Sequence, residues 1–329
     1  MPHLILGRRE DEAPSALLRT RRDLSSLQNP ILTPCRTAAR LWALRIHHPG
    51  TQAGRVMPPP TDTHSMNTAP SPEKNQKHES SVLTHSAIDG IQARDELFAL
   101  MNGYASTPEE KERSLGLFLR GSLLARILAV AHIYQQIVDI PGIIFDIGTW
   151  RGQTAVLCEN FRAIYEPLHF NRRIVCFDTF EGYAGFGDQD RATALHQEGT
   201  YSVGGTAYAD YLAHLLQVHE RANAMGHNNG KHQVIAGDCR ETIPAFFGDH
   251  PNEILSLAFF DVNALAPTRE ALDQVWKRLA PGGIVAFWQL TRAGMRAEGQ
   301  AYAADLLNQH RHTLHRAPTY PSLCYARKM

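Results

Sequence analysis

The sequence predicts an α/β protein: a doubly wound, mostly parallel seven-stranded sheet with a helical N-terminal cap. Three observations carry this prediction. From residue 143 onward, short apolar runs alternate with longer stretches of helical periodicity, the pattern of parallel strands covered by helices on both faces. Four successive runs carry an aspartate at or beside their ends, which would set a row of acids along one edge of such a sheet. Before residue 142 the apolar residues recur at helical spacing, with no strand signal.

The elements follow in order. Residues 1–83 are polar after an arginine-rich start, and the stretch PPPTDTHSMNTAPSPEKNQKHESS has little to bury, so the segment reads as disordered. Glu10, Asp11 and Glu12 argue against an organellar leader, and an over-extended reading frame with translation starting at Met57 or Met66 is the favoured expectation. Residues 84–141 form the helical cap. Ile88, Ile91, Leu97, Phe98 and Met101 share a face, Thr107-Pro-Glu-Glu110 is a capping box, and 120–139 is a longer apolar helix. Residues 142–329 form the sheet domain. Strands are expected near 143–147, 173–178, 232–236, 254–261, 283–288, 311–316 and 322–327, with helices at 152–164, 206–225, 240–247, 268–280 and 295–309. The connection 183–205 is too long and glycine-rich for a plain turn and reads as a lid insertion over a binding site.

Composition narrows the function. Lys plus Arg and Asp plus Glu balance at 33 each, so no net field gathers nucleic acid or an anionic membrane, and a small-molecule substrate is expected. The 17 histidines include no HxxxH or HExxH pair, so no zinc site is expected. Five scattered cysteines suit reduced, packed thiols in a cytoplasmic protein. No apolar run reaches the roughly 20 residues that span a bilayer. The helical N-terminal cap is the expected surface for a homodimer.

The chemistry-bearing motifs lie at strand ends. The first strand ends in FDIGTWRGQ, where Asp146, Gly148 and Gly152 shape a strand-to-helix turn open to close approach by a ligand. The spacing is not the GxGxxG of dinucleotide sites. Asp178 ends the second strand, where a carboxylate accepts bonds from two ribose hydroxyls; Asp238 in Gly237-Asp238-Cys239 stands at the height of a purine edge; Asp261 ends the fourth strand in FDVNALAPT. The alternative role for each aspartate is to cap the helix that follows. In Leu279-Ala-Pro-Gly-Gly, proline and two glycines end a helix and drop the chain into a buried strand.

Taken together, GTWRGQ (148–153), RRIVCFDTFEG (172–182), GTYSV (199–203), GDCRETIP (237–244), FDVNALAPT (260–268) and LAPGG make residues 118–300 resemble the class I, Rossmann-like S-adenosylmethionine-dependent methyltransferases. The closer resemblance is to the macrocin O-methyltransferase-like branch, which acts on sugars and other natural products. The resemblance implies S-adenosyl-L-methionine as cofactor. Asp146, Gly148, Thr149, Trp150 and Gly152 would shape its methionine pocket, Asp178 with Thr179 would face the ribose, and Asp238 with Cys239 the adenine. Arg120 and Arg151 are candidates for its carboxylate, because a guanidinium fork suits that group.

The sequence departs from the branch at its magnesium site. The acid at the fourth strand end is kept as Asp261, but Asn263 replaces its companion, and Trp288-Gln289 stand where an acid pair is expected after the fifth strand. No bound metal is therefore expected. Asp261 would act as base, with Asn263, Gln289 and Tyr201 orienting the acceptor, and the loop residues Asp188, Asp190 and His196 as further candidate bases. Two other readings stay open. The cofactor's own amine would close a ring and release methylthioadenosine, or the chain would bind the nucleoside without turning it over, as a partner protein. Product analysis separates all three.

Overall fold

The second N-terminal helix forms where its capping signal lies, in a computed structural model that describes residues 88–190, 197–223, 230–292 and 296–329. The expected N-terminal segment 1–83, the start of the first helix and His196 lie outside those residues. Helix α1 (Ile88–Gly103) is followed by α2 (Pro108–Arg113), a 3₁₀ turn (Leu115–Phe118) and α3 (Gly121–Gln135). The capping box closes as read: the Glu110 N–H donates to Thr107 Oγ1 at 3.2 Å, and the Thr107 N–H donates to Glu110 Oε2 at 2.9 Å. No residue of α2 is buried, whereas Ala129, Val130, Ile133 and Tyr134 of α3 are packed with Ile144, Leu257 and Ile284 of the sheet. The apolar face of α3 thus makes it a covering helix of the sheet, so the cap proper is α1 and α2.

Seven strands follow: β1 (Ile143–Ile147), β2 (Ile174–Asp178), β3 (Gln233–Ala236), β4 (Leu255–Phe260), β5 (Leu279–Phe287), β6 (His312–Arg316) and β7 (Cys324–Lys328). The helices between them are α4 (Gln153–Tyr165), α5 (Thr206–Asn223), α6 (Cys239–Asp249), α7 (Leu265–Arg278) and α8 (Ala297–Asp305). The sheet order is β3-β2-β1-β4-β5-β7-β6, with β1 to β5 parallel and β7 antiparallel to both neighbours. The chain winds outward from β1 to β3, then returns to the other side of β1 at β4. The crevice between β1 and β4 is therefore the topological switch point, where ligands enter open α/β sheets.

Strands β1 and β4 are buried along their whole length, which is why they read as unbroken apolar runs. Their residues alternate between two cores. Ile144, Cys176, Leu257, Phe259, Ile284 and Trp288 pack under α3, α4 and α5; Phe145, Phe177, Phe260, Val285 and Phe287 pack under α6, α7 and α8. Most boundaries shift by one to four residues, and the largest shift at a strand start is that of β5, at 279 rather than 283. Helix α7 stops at Arg278 rather than 280, because the apolar Leu279 is already paired with Leu255 in the sheet. Residues 280–283 then bulge out before Ile284 pairs with Leu257, and Gly282 at φ 79° takes the left-handed turn.

A buried arginine just before β2 ties the end of α3 to β4 at the centre of the sheet. Arg172, fully excluded from solvent, donates to both oxygens of Glu166 at 3.0 and 2.8 Å, to Ser256 Oγ at 2.7 Å, and to the carbonyls of Ile137, Ile140 and Gly142. Tyr134 donates to Glu166 Oε2 at 2.6 Å.

Candidate active site

A cavity of about 520 Å³ opens at the carboxyl ends of the strands, over the switch point. Of the described site residues expected from the sequence, it is lined by all except Gly152, Arg120 and the loop acids Asp188 and Asp190. Gly152 acts one step behind the wall: a Cβ there would lie 2.2 Å from Leu212 of α5, so its lack of side chain lets α5 close on the turn. Gly148 has the same need from the other side. At φ 79°, its Cβ would lie 2.6 Å from the Asp261 carbonyl, so glycine alone lets the ends of β1 and β4 touch.

One side of the cavity is organised around Asp178. Its two carboxylate oxygens accept the Trp150 and Phe180 backbone N–H groups, each at 2.7 Å. Both donors sit in left-handed backbone, at φ 50° and 56°, a strained conformation that turns their N–H groups onto the carboxylate. Thus held, the oxygens keep lone pairs for two ribose hydroxyls. Burial raises the Asp178 pKa, opposed by these two bonds. Thr149 donates to the Asp146 carbonyl at 2.6 Å, and Thr179 to the Gly182 carbonyl at 2.7 Å, so both shape loops of the wall. Asp238 serves as N-cap of α6, accepting the Arg240 N–H at 2.9 Å, and pairs with the Arg240 guanidinium at 2.6 Å, which lowers its pKa. Asp238 thus caps a helix and also lines the cavity. Burial pushes the Cys239 thiol up to about 12, so this residue is an apolar wall rather than a thiolate.

The opposite side centres on Asp261. Its Oδ1 accepts Asn263 Nδ2 at 3.2 Å and Gln289 Nε2 at 3.4 Å, while Arg126 Nη2 stands 3.9 Å from Oδ2. The Gln289 amide is oriented from behind, because Arg292 Nη1 donates to its Oε1 at 3.3 Å. The Gln289 backbone N–H is anchored on buried Glu298 at 2.6 Å. Burial raises the Asp261 pKa, partly countered by Arg126 and the two amides. Tyr201, at φ 71°, meets Trp150 edge-on at 5.8 Å and Tyr183 at 5.3 Å, building an aromatic wall beside the acid.

The two arginines proposed for a carboxylate fare differently. Arg151 lines the cavity with its side chain over Trp150, but Arg120 is the N-cap of α3, where burial and then the charge of Arg94 lower its pKa. The arginine of α3 that reaches the cavity is Arg126, which no motif contained. Its signal was visible as the lone charge in the apolar run of 121–131. Of the loop candidates, Asp190 spends both oxygens on backbone donors, Gly187 N and Leu265 N, each at 2.9 Å, and pins the insertion to the start of α7. The insertion is closed at its base by reciprocal Tyr183 bonds with Gly199 and Thr200.

The macrocin O-methyltransferase (TylF) family matches residues 123–306, more than half of the chain. The chain belongs to this family. A crystal structure of CalS11, a calicheamicin methyltransferase, superposes with a TM-score of 0.70 at 31% identity, over 74% of this chain and 94% of that one. The apo structure of CalS11, described as a TDP-rhamnose 3'-O-methyltransferase of calicheamicin biosynthesis, gives 0.64 and 29% over 74% and 96%. No curated protein matches the chain. As a macrocin O-methyltransferase relative, the protein is a methyltransferase that uses S-adenosylmethionine. The residues fit that cofactor. Asp178, held by two backbone N–H groups, would accept hydroxyls of the nucleoside, and buried Asp146, 3% exposed, has an Oδ2 without a partner in the same crevice. No described helix is long and apolar enough to cross a membrane.

Proposed function

We propose that the protein methylates a hydroxyl of a sugar carried in natural-product biosynthesis, with Asp261 as general base and without a divalent ion. The single observation behind this is the setting of Asp261. The acid's hydrogen bonds come from two amide N–H groups, and a guanidinium stands 3.9 Å away. Magnesium asks for several oxygen ligands, and neighbours that donate protons or carry positive charge oppose it. Among the described residues, no group of three His, Cys, Asp or Glu side chains comes together elsewhere to replace the site. The sugar acceptor is supported by the 29% identity to a TDP-rhamnose methyltransferase, and by the wall of Trp150, Tyr183 and Tyr201, which suits the apolar face of a ring.

S-adenosylmethionine supplies a methyl group on a sulfonium. Asp261 takes the proton of the acceptor hydroxyl as its oxygen attacks that methyl carbon in line, and the carbon–sulfur bond breaks with its electron pair left on sulfur. Asn263 and Gln289 hold the carboxylate in one orientation. The raised pKa makes Asp261 a stronger base than an exposed carboxylate, so the rate should fall as pH drops below this raised value.

Incubation with S-adenosylmethionine and TDP-rhamnose, with and without chelator, tests the reading by mass spectrometry. S-adenosylhomocysteine and a methylated sugar nucleotide are expected, indifferent to chelator, with Asp261→Asn slower by about 10²–10⁴-fold. Methylthioadenosine formed without acceptor would instead favour ring closure, and binding without any product would favour the partner-protein reading. Activity lost to chelator and restored by magnesium would refute the metal-free site.

A further inference from the structure

The mechanism gives one charge of the cavity only a supporting part. Arg292, the fifth residue after β5 ends at Phe287, is half-buried and lines the cavity together with Gln289, Tyr201 and Asp261. Its Nη1 donates to Gln289 Oε1 at 3.3 Å, and Gln289 Nε2 in turn donates to Asp261 Oδ1 at 3.4 Å. The guanidinium thus stands two hydrogen bonds from the base, about the reach of a pyranose ring and its anomeric oxygen. Its charge also acts on Tyr201 of the aromatic wall, and Trp150 of the same wall carries the Arg151 guanidinium 4.8 Å from its ring centre.

Beside Asp261 this charge works against the reaction. The other groups that act on the base are Arg126 of α3, Asp146 of β1, Asp178 of β2, Tyr183 and Tyr201 of the insertion, and Glu298 of α8. Burial and the neighbouring acids favour its protonated form, whereas the two arginines favour the carboxylate, so Arg292 weakens the base. Arg126 has a fixed seat, with its guanidinium 3.6 Å from the ring centre of fully buried Trp288. Arg292 comes instead from the loop beyond β5, on the side of the cavity that holds Tyr201. A cation that weakens a base fits the chemistry when the substrate brings the charge that cancels it. The complementary group is an anion one ring away from the reacting hydroxyl, and a guanidinium fork fits a phosphate with two parallel bonds.

We propose that Arg292 binds a phosphate on the anomeric carbon of the acceptor sugar, so that the site takes a sugar phosphate or sugar nucleotide in preference to a finished neutral glycoside. This rests on the reading of the protein as a sugar methyltransferase, and it says which form of the sugar is methylated. A bound phosphate cancels the Arg292 charge and leaves Asp261 a stronger base in the complex than in the free protein. Binding therefore prepares the base for the phosphorylated acceptor and not for a neutral glycoside of the same sugar. Methylation then precedes attachment of the sugar, and the class of reaction that consumes the product is glycosyl transfer with release of the phosphate or nucleotide.

Titration calorimetry of the full chain saturated with S-adenosylhomocysteine tests this with TDP-rhamnose, rhamnose 1-phosphate and methyl rhamnoside, on wild type, Arg292→Lys and Arg292→Met. Wild type should bind both phosphorylated probes about tenfold or more tighter than the methyl glycoside, the worth of a charge-assisted pair. Arg292→Met should bring rhamnose 1-phosphate within about threefold of methyl rhamnoside and weaken TDP-rhamnose by a similar factor, and Arg292→Lys should fall between. Matched thermal melts show that the variants fold. A wild type without the preference, a preference retained in Arg292→Met, or an equal loss for all three probes would overturn the proposal. A loss confined to TDP-rhamnose would put Arg292 on the nucleotide end and overturn it as well. Methyl transfer is read separately, by mass, with S-adenosylmethionine and each probe. Absence of product from all three, with the binding order as expected, would sink the sugar-methylating reading and leave the phosphate subsite standing; if wild type binds none of them, both fall.

Discussion

Asp146 is the residue whose ionisation the fold alters most tellingly. Burial, reinforced by the nearby charges of Asp261 and Asp178 and opposed by Arg126, pushes its pKa from an ordinary 3.8 to about 7. Between these values the folded chain holds a proton that the unfolded chain has released. Stability from this group is thus full below pH 3.8 and is lost as pH rises toward 7, by at most about 4 kcal/mol for a shift of roughly three units. Asp146→Asn should raise the melting temperature of the ligand-free protein at pH 8 and flatten its pH dependence across that window. The same variant should weaken S-adenosylhomocysteine, whose binding to wild type should strengthen as pH rises through 7. Thermal melts and titrations across pH check both; a variant that keeps the wild-type profile would remove Asp146 as the cause. The sequence marked this residue through its turn motif, but its missing partner is visible only in three dimensions.

At the scale of elements, the turn after β1 and the start of α7 decide the site. Gly148→Ala would place a methyl 2.6 Å from the Asp261 backbone in a left-handed conformation, and should cost about 1–3 kcal/mol or displace β4 from β1. Urea unfolding and cofactor affinity should both register it, because the clash sits inside the crevice. Helix α7 has Ala264 as its N-cap, with no side-chain cap of its own, and Asp190 of the insertion supplies one across the fold. Asp190→Ala should therefore cost about 1 kcal/mol, within the usual range for a lost cap, and loosen the insertion. Its effect should fall on the KM for acceptor more than on S-adenosylhomocysteine binding, whereas a lost base would lower kcat. Sequence reasoning offered Asp190 as a base because a loop acid near a site carries no local mark of its partners, and this partner lies 75 residues away.

At the scale of the whole molecule, Arg172 joins elements that the chain visits far apart. Its guanidinium satisfies Glu166, Ser256 and carbonyls of the α3–β1 connection, and it is fully buried. Arg172→Leu would strand the Glu166 carboxylate and those carbonyls, and should cost about 3–5 kcal/mol in urea unfolding. A loss under 1 kcal/mol would show that water replaces the clamp. In the sequence this arginine is one of a motif pair, Arg172-Arg173, with nothing to say which is structural; Arg173 instead bonds Glu253 at the edge.

The sequence by itself determined the alternation of strands and helices, the glycine turn after β1 and the row of aspartates at strand ends, because periodicity and turn chemistry are local and each strand end carries its own signal. It also showed the departure at Asn263, Trp288 and Gln289. Only the tertiary structure decided that Arg126 rather than Arg120 enters the cavity, that Trp288 carries it, and that α3 belongs to the core. Each depends on which face of a helix meets which strand, and that is settled by packing between segments well over a hundred residues apart, as Arg126 and Trp288 are.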